Sequence, residues 1–128
     1  MPRKILIVDD NPDMRTVLAM ILSGKGYSIV QAESGAESIR KSLSENPDLI
    51  IMDVNLADMS GAEAATRIKN NDRTASIPII AHTAWQMKIA KKLCVNASFS
   101  DFLVKPVGYG GLTETVERFV GKAVIETD

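Results

Sequence analysis

The chain has 128 residues, of which 45% are hydrophobic and 24% charged, and this balance is typical of one compact domain rather than two. Fifteen basic against sixteen acidic residues give a formal charge of -1, so the composition does not favour nucleic-acid binding. The single cysteine, Cys94, excludes an internal disulfide and predicts a cytoplasmic protein, and no apolar run approaches the roughly 20 residues that span a membrane.

Short aliphatic runs alternate with segments of helical period, and this alternation predicts strands and helices in strict succession. The predicted strands are residues 5–8, 27–31, 49–52, 77–81 and 102–104. The first, third and fourth runs are apolar almost throughout, so both of their faces must be covered. The pattern therefore predicts an α/β fold in which helices cover both faces of an open, parallel, doubly wound sheet.

The first predicted helix follows the first strand and has clear boundary signals. Asn11 is suited to cap it, Pro12 is suited to its first position, and Gly24 is expected to end it. We predict that one apolar face of this helix is buried, formed by Met14, Val17, Leu18, Ile21 and Leu22.

Three further helices are expected to open with capping boxes, namely Ser34 with Glu37, Ser60 with Glu63, and Thr83 with Gln86. The fourth helix should end near Val95, and the fifth should begin near Tyr109. The fifth helix has a predicted buried stripe of Leu112, Val116, Phe119 and Val120. Residues 1–121 are thus expected to form the domain, with 122–128 as a short tail and no output domain after it.

Polar residues follow the carboxyl ends of the predicted strands, where open α/β sheets bind ligands. They are Asp9 and Asp10, Asp53, His82 and Thr83, and Lys105 with Pro106. Two carboxylates about 4 Å apart repel by on the order of 4 kcal/mol at an effective dielectric near 20, so a cation is expected among them. Magnesium suits such oxygen ligands, and a carboxylate, a metal, a hydroxyl and a lysine are the groups that phosphoryl transfer requires.

Four segments of the sequence together resemble the receiver domains of two-component response regulators. They are KILIVDD at 4–10, DLIIMD at 48–53, MSG at 59–61 and FLVKP at 102–106. Their order and spacing extend over almost the whole chain. The resemblance implies a flavodoxin-like sheet with the strand order 2-1-3-4-5.

The resemblance also implies roles for the acidic residues. Asp53 would accept a phosphoryl group from the phosphohistidine of a histidine kinase or a histidine phosphotransfer protein. Asp10, Asp53 and the backbone carbonyl of Asn55 would bind Mg²⁺ directly, with Mn²⁺ able to substitute, while Asp9 would act through a metal-bound water.

Residues near the ends of the last two predicted strands are implied to sense the phosphoryl group. Thr83 would donate a hydrogen bond to it, and Lys105 would form an ion pair with it. Phe102 stands at the position of the family's switch aromatic, which turns inward when the threonine moves. The peptide bond between Lys105 and Pro106 is expected to be cis.

The sequence departs from the usual receiver pattern at three places. Leu56-Ala57 stands where Met-Pro is frequent, Ser98-Phe99 replaces Gly-Ala, and His82 replaces a small aliphatic residue. The first change predicts a less rigid loop after Asp53, and the second puts the usual packing before the fifth strand in doubt. His82 should point opposite to Thr83, away from the metal.

Several residues of the chain have a purely structural interpretation. Cys94 is interpreted as a small buried hydrophobe of the fourth helix. Trp85 either is a surface aromatic or restricts the water that hydrolyses the acyl phosphate. Thr83 could also serve only as a helix cap, and Asp9 and Asp10 could do the same for the first helix.

We therefore interpret the chain as a phosphorylation switch that signals through the surface of the fourth helix, fifth strand and fifth helix, and not as an enzyme acting on a separate substrate. A downstream target protein is the expected partner, without nucleic acid or membrane, and the chain is expected to be a monomer or a weak phosphorylation-dependent dimer. The alternatives are a degenerate receiver that serves as an interaction module, a magnesium-dependent phosphohydrolase with an Asp nucleophile, and a flavodoxin-like cofactor binder.

Overall fold

The computed structural model describes residues 2–84, 92 and 98–122 of the chain. Its sheet has five parallel strands in the order β2-β1-β3-β4-β5, which confirms the predicted fold class and strand order. The strands are β1 (Lys4–Val8), β2 (Ser28–Ala32), β3 (Leu49–Asp53), β4 (Ile79–Thr83) and β5 (Asp101–Val104).

Helices lie on both faces of the sheet. Within the described ranges they are α1 (Pro12–Gly24), α2 (Gly35–Glu45), α3 (Gly61–Lys69) and α4 (Tyr109–Val120). The helix that the sequence predicts to end near Val95 lies outside the described residues, as do Trp85 and Cys94. No helix of the described part of the chain combines the length and apolar character needed to cross a membrane.

Two apolar clusters pack against the sheet, one on each face. The first holds side chains of α1 and α4 against alternate strand residues: Ile5, Ile7, Leu18, Leu22, Leu49, Ile51, Ile80, Leu103, Leu112 and Val116. The second packs α3 against the opposite strand residues and includes Leu6, Val8, Ile50, Met52, Ala64, Ala65, Ile68, Ile79 and Phe99. Because the central strands are buried on both faces, they lack an exposed polar side, as the apolar runs predict.

Three predicted helix caps are present. The Asn11 side chain accepts hydrogen bonds from the backbone N–H groups of Asp13 and Met14, at 2.9 and 3.3 Å. Ser34 and Ser60 accept from the N–H groups of Glu37 and Glu63, at 3.1 and 3.0 Å. These bonds satisfy donors that have no partner within the first turn of a helix, and they fix where each helix begins.

The fourth strand differs most from its prediction. It runs from Ile79 to Thr83, two residues later than expected, because Pro78 has no N–H to donate within the sheet. His82 and Thr83 are therefore strand residues and do not follow the strand. The second strand is also shifted, by one residue at each end, to Ser28–Ala32, whereas β1, β3 and β5 each gain one residue.

The first helix also differs from its prediction in two details. Val17 is 51% exposed and does not join the buried face, which is formed by Leu18 and Leu22. Gly24 is the last helical residue, and the left-handed backbone that ends the turn is at Gly26, with φ of 100°. Glycine adopts that conformation without steric cost, so the stop signal acts two residues after the predicted one.

Candidate phosphoacceptor and metal site

Three carboxylates come together at the carboxyl edge of the two central strands. Asp9 follows β1 and Asp53 ends β3, and these strands are neighbours with Val8 paired to Met52. Asp9 and Asp53 are buried while Asp10 is exposed, and oxygens of all three lie within 4.8 Å of one another. The structure therefore brings together the three predicted acidic residues in an arrangement that could hold a metal ion.

Lys105 reaches this acidic group from β5, on the far side of β4. Its Nζ lies 3.2 Å from Oδ2 of Asp53, to which it donates a hydrogen bond, and 3.6 Å from Oδ2 of Asp9. The lysine side chain is 22% exposed, so the ammonium sits at the mouth of the site. One cation thus contacts both buried carboxylates and offsets part of their repulsion.

The carboxyl group of Asp9 is buried next to the charge of Asp53. Its burial raises the pKa of the carboxyl group, and the charge of Asp53 raises it further, although the N–H of Asn11 and the charge of Lys105 act in the opposite direction. Oδ1 accepts the Asn11 N–H at 2.9 Å, but Oδ2 has no hydrogen-bond partner among the described residues. A buried anionic oxygen without a donor is a suitable position for a hard cation such as Mg²⁺ or for its bound water.

The Asp53 carboxylate is oriented from two sides. Its Oδ1 accepts the N–H of Asn55 at 3.0 Å, while Oδ2 contacts Lys105. Asn55 is exposed and forms an antiparallel bridge with Ser60, which closes the loop between β3 and α3. Asn55 thus lies beside Asp53, and the metal-ligand role of its carbonyl stays a prediction.

Thr83 lies at the end of β4, between the strands that carry Asp53 and Lys105. It is buried at the last position of β4, where the sheet pairs it with Val104, and its carbonyl accepts the N–H of Lys105 at 2.6 Å. His82, one residue earlier, pairs with Asp53. The register thus brings Thr83 to the same sheet edge as Asp53 and Lys105, while its proposed capping partner, Gln86, lies outside the described residues.

Phe102 lies below this edge. It is partly buried, pairs with Ala81 in the sheet, and packs against the core on the α3 face. The Lys105–Pro106 peptide bond is cis, as the resemblance implies. Phe99, the bulky residue before β5, is only 8% exposed and is part of the same core, so the chain accommodates it in the interior.

Three residues for which the sequence predicts no site role contact the site or its loop. His82 is 1% exposed, and its pKa is lowered to about 4 by burial and by the charge of Lys105, with Asp53 acting in the opposite sense. Arg15 donates from a guanidinium nitrogen to the Asp9 carbonyl at 2.6 Å, and Asp58 accepts two N–H groups of α2. Only His82 carried a sequence signal, as the chain's sole histidine placed next to Thr83.

Comparison with known proteins gives the family context of this site. A family model described as the response regulator receiver domain matches residues 5–117. The CAI-1 autoinducer sensor kinase/phosphatase CqsS of Vibrio cholerae is 36% identical over 119 residues, which are 92% of this chain but 17% of that protein. The polar-differentiation response regulator DivK of Brucella anthropi is 29% identical over 123 residues, covering 96% of this chain and all of DivK.

A solved structure shows the same architecture. The receiver domain of a sensor histidine kinase from Pseudomonas aeruginosa matches with a TM-score of 0.87 and 30% identity, covering 95% of this chain and 100% of that one. That receiver has a magnesium ion coordinated in its active-site cleft. With the family model matching most of its length, and with this sheet order and acidic edge, the chain belongs to the response regulator receiver domain family.

Proposed function

We propose that the chain is a phosphorylation switch in which Asp53 accepts a phosphoryl group from a phosphohistidine. The observation that carries this proposal is the contact of Lys105 with both buried carboxylates, at 3.2 and 3.6 Å, within an acidic group whose oxygens lie inside 4.8 Å. An acceptor carboxylate, a fixed cation and oxygen ligands for a metal are the parts of a phosphoryl-transfer site.

In the proposed reaction, an oxygen of Asp53 attacks the phosphorus of the phosphohistidine. The O–P bond of an acyl phosphate forms while the N–P bond breaks, and the imidazole nitrogen keeps the electron pair and later takes up a proton from water. The Asn55 N–H and the Lys105 ammonium hold the two carboxylate oxygens in fixed directions before the attack. This preorganisation lowers the cost of aligning the acceptor.

Asp10, Asp53 and the Asn55 carbonyl would hold Mg²⁺ directly, with Mn²⁺ able to replace it, and Asp9 would contact a bound water. When bound, the metal supplies positive charge to the phosphoryl oxygens. Two observations support its fit. The Oδ2 atom of buried Asp9 accepts no hydrogen bond within the described part of the chain, and the similar Pseudomonas receiver has a magnesium ion.

After transfer, Thr83 would donate its hydroxyl to a phosphoryl oxygen and Lys105 would pair with another. Phe102, which is partly buried, would then turn inward and change the surface that includes β5 and α4. The proposed receiver unit is residues 1–121. We place it in the cytoplasm, as a monomer or a weak phosphorylation-dependent dimer, with a sensor histidine kinase or a histidine phosphotransfer protein as donor and a downstream protein as target.

The chemistry proposed is confined to the chain's own acceptor. Hydrolysis of the acyl phosphate returns Asp53 to a carboxylate, and no separate metabolite is converted. The chain would therefore act as a switch whose output is a change in protein contacts.

Intact-mass spectrometry tests this proposal directly. The native chain and Asp53→Asn are incubated with acetyl phosphate, each with Mg²⁺ and with a chelator. We expect the native chain to gain one phosphoryl mass only with Mg²⁺, and Asp53→Asn to gain none. No gain in the native chain would favour a degenerate receiver that serves as an interaction module, and a gain that persists in Asp53→Asn would refute the acceptor assignment.

A further inference from the structure

The loop that follows the acceptor is the segment 54–60, here called the acceptor loop. It contains Asn55 near its start and the Leu56-Ala57 pair that lacks the proline frequent in receivers. Its two ends are fastened by the Asn55–Ser60 bridge and by the Gly61 N–H, which donates to the Val54 carbonyl at 2.9 Å. These contacts close the base of the loop and leave its tip to be held by other means.

Asp58 at the tip is bound to the start of a different helix. Its Oδ1 accepts the N–H of Gly35 and its Oδ2 accepts the N–H of Ala36, each at 2.9 Å. Both amides belong to the first turn of α2, where backbone donors have no partner inside the helix. The next donor, the Glu37 N–H, is bound by the Ser34 side chain, so Asp58 and Ser34 together accept hydrogen bonds from the first three amides of α2.

Electrostatics favours this contact. A negative charge is stabilised at the positive end of a helix dipole, and hydrogen bonds to a charged acceptor are stronger than neutral ones. In agreement, the hydrogen bonds from Ala36 and Gly35 lower the pKa of the Asp58 carboxyl group. The Asp58 carboxylate is therefore ionised, as this contact requires, at neutral pH, although Asp58 itself is exposed.

An apolar contact beside it brings the same two segments together. A Cβ at Gly35 would stand 2.4 Å from Cγ and 2.8 Å from Sδ of Met59, so α2 and the loop approach closely at a position where only glycine fits without rearrangement. Two adjacent loop residues, Asp58 and Met59, thus clamp the tip onto α2 by a charged and an apolar contact.

We propose that Asp58 is a positioning residue for the site: by fastening the acceptor loop to α2, it holds the Asn55 backbone in the orientation that metal binding and phosphoryl transfer need. This inference rests on the proposed function. Without a proline at position 57, the loop backbone keeps rotational freedom that the base contacts do not remove. The clamp supplies this restraint from outside the loop.

Magnesium affinity of the unphosphorylated protein tests the proposal without relying on activity. Isothermal titration calorimetry is run on the native chain, on Asp58→Ala and Asp58→Asn, and on Asp72→Ala, which removes one exposed carboxylate from the loop after α3. Removing a group that orients a metal ligand typically lowers the affinity for the metal by 10- to 100-fold. We therefore expect Asp58→Ala to bind Mg²⁺ about 10-fold more weakly than the native chain. Asp58→Asn, which keeps one acceptor oxygen, should lie between, and Asp72→Ala should match the native chain.

Amide hydrogen exchange gives a second readout in the absence of metal. In Asp58→Ala the Gly35 and Ala36 amides, and that of Asn55, should exchange faster than in the native chain, while those of Asp72→Ala should not change. If Asp58→Ala fails to fold, both measurements are made on Asp58→Asn.

The outcomes separate this inference from the proposed function. Native affinity in Asp58→Ala, with or without a lower melting temperature, would mean that the contact is only structural and would overturn the inference alone. Equal weakening in Asp58→Ala and Asp58→Asn, with native exchange rates at Gly35, Ala36 and Asn55, would assign the effect to the lost charge alone and would also overturn it. A native chain that binds no Mg²⁺ would overturn the proposed metal site together with the inference.

Discussion

The buried carboxyl of Asp9, to which we assign a role at the proposed metal site, is unfavourable for the folded state. Burial is the main cause that raises its pKa, which means that the ionised form is disfavoured in the metal-free protein. The unfolded chain ionises this carboxyl at a lower pH than the folded chain, so the raised pKa destabilises the folded state as pH rises above the unfolded value. Lys105, at 3.6 Å, relieves only part of it.

We predict that Asp9→Asn stabilises the metal-free protein. The amide keeps the shape of the side chain and can still accept the Asn11 N–H, but it removes a buried charge next to Asp53. The free energy of unfolding in chelator should rise by on the order of 1 kcal/mol at pH 7. Urea unfolding followed by circular dichroism measures the change.

The matched control is Asp72→Asn, which neutralises an exposed carboxylate in the loop after α3 and should alter stability little. With saturating Mg²⁺ the advantage of Asp9→Asn should shrink or reverse, because the native carboxylate then has its compensating cation. An Asp9→Asn protein that is less stable than the native chain in chelator would contradict this account.

Among the elements, the start of α3 packs closely against the end of β3. A Cβ at Gly61 would lie 2.3 Å from the Asp53 carbonyl oxygen and 2.7 Å from the Val54 Cα, both of which are backbone atoms that cannot rotate away. We predict that Gly61→Ala lowers the free energy of unfolding by roughly 2 kcal/mol or more and slows phosphorylation of Asp53. Thermal unfolding and intact-mass kinetics measure the two effects.

Gly110→Ala in α4 is the matched control, since an added Cβ there meets no described heavy atom within 4 Å. It should stabilise the protein by about 0.5–1 kcal/mol, because alanine has the better helix propensity. Equal stability of the two variants would show that the folded chain accommodates a Cβ at position 61, and would contradict this prediction.

The elements that the sequence predicted well are those whose signal is local. Apolar runs located every strand of the sheet, and the caps Asn11, Ser34 and Ser60 act as their spacing indicates. The apolar pattern did not indicate that β4 begins two residues later, because Ile77 is apolar and buried although it precedes Pro78 and lies outside the strand. Val17 has helical spacing but faces solvent, since its exposure depends on how α1 packs.

The same distinction holds for the site. Asp9, Asp10, Asp53 and Lys105 could be predicted because parallel strands end at one edge, and the structure brings these residues together. The hydrogen bonds of Asp58 join residues 22 and 23 positions apart on a loop and a helix. No spacing rule indicates such a contact, which depends on how the loop and helix meet in the folded chain.

For the molecule as a whole, the protonation of His82 makes the free energy of unfolding depend on pH. It is the chain's only histidine, and burial lowers its pKa from 6.5 to about 4, assisted by the charge of Lys105 and opposed by Asp53. Its Nε2 has no hydrogen-bond partner in the part of the chain that is described. The folded protein therefore holds this imidazole neutral at pH values where the unfolded chain protonates it.

The sign of the effect follows from proton binding. Between pH 6.5 and about 4 the unfolded state binds more protons at His82 than the folded state, so stability is lost as pH falls through this window. The full loss corresponds to about 3 kcal/mol, because each unit of pKa difference is about 1.36 kcal/mol. Asp9 acts in the opposite direction at lower pH, since its raised pKa lets the folded state bind a proton first.

We predict that His82→Val removes most of this acid sensitivity. Urea unfolding of both proteins in chelator, at pH 7, 6 and 5, should show the native free energy of unfolding falling more steeply than that of the variant. By pH 5 the difference between the two should have changed by about 2 kcal/mol, since the unfolded histidine is then almost fully protonated. The contribution of Asp9 is common to both proteins and cancels in the comparison, and parallel pH profiles would contradict the depressed pKa of His82.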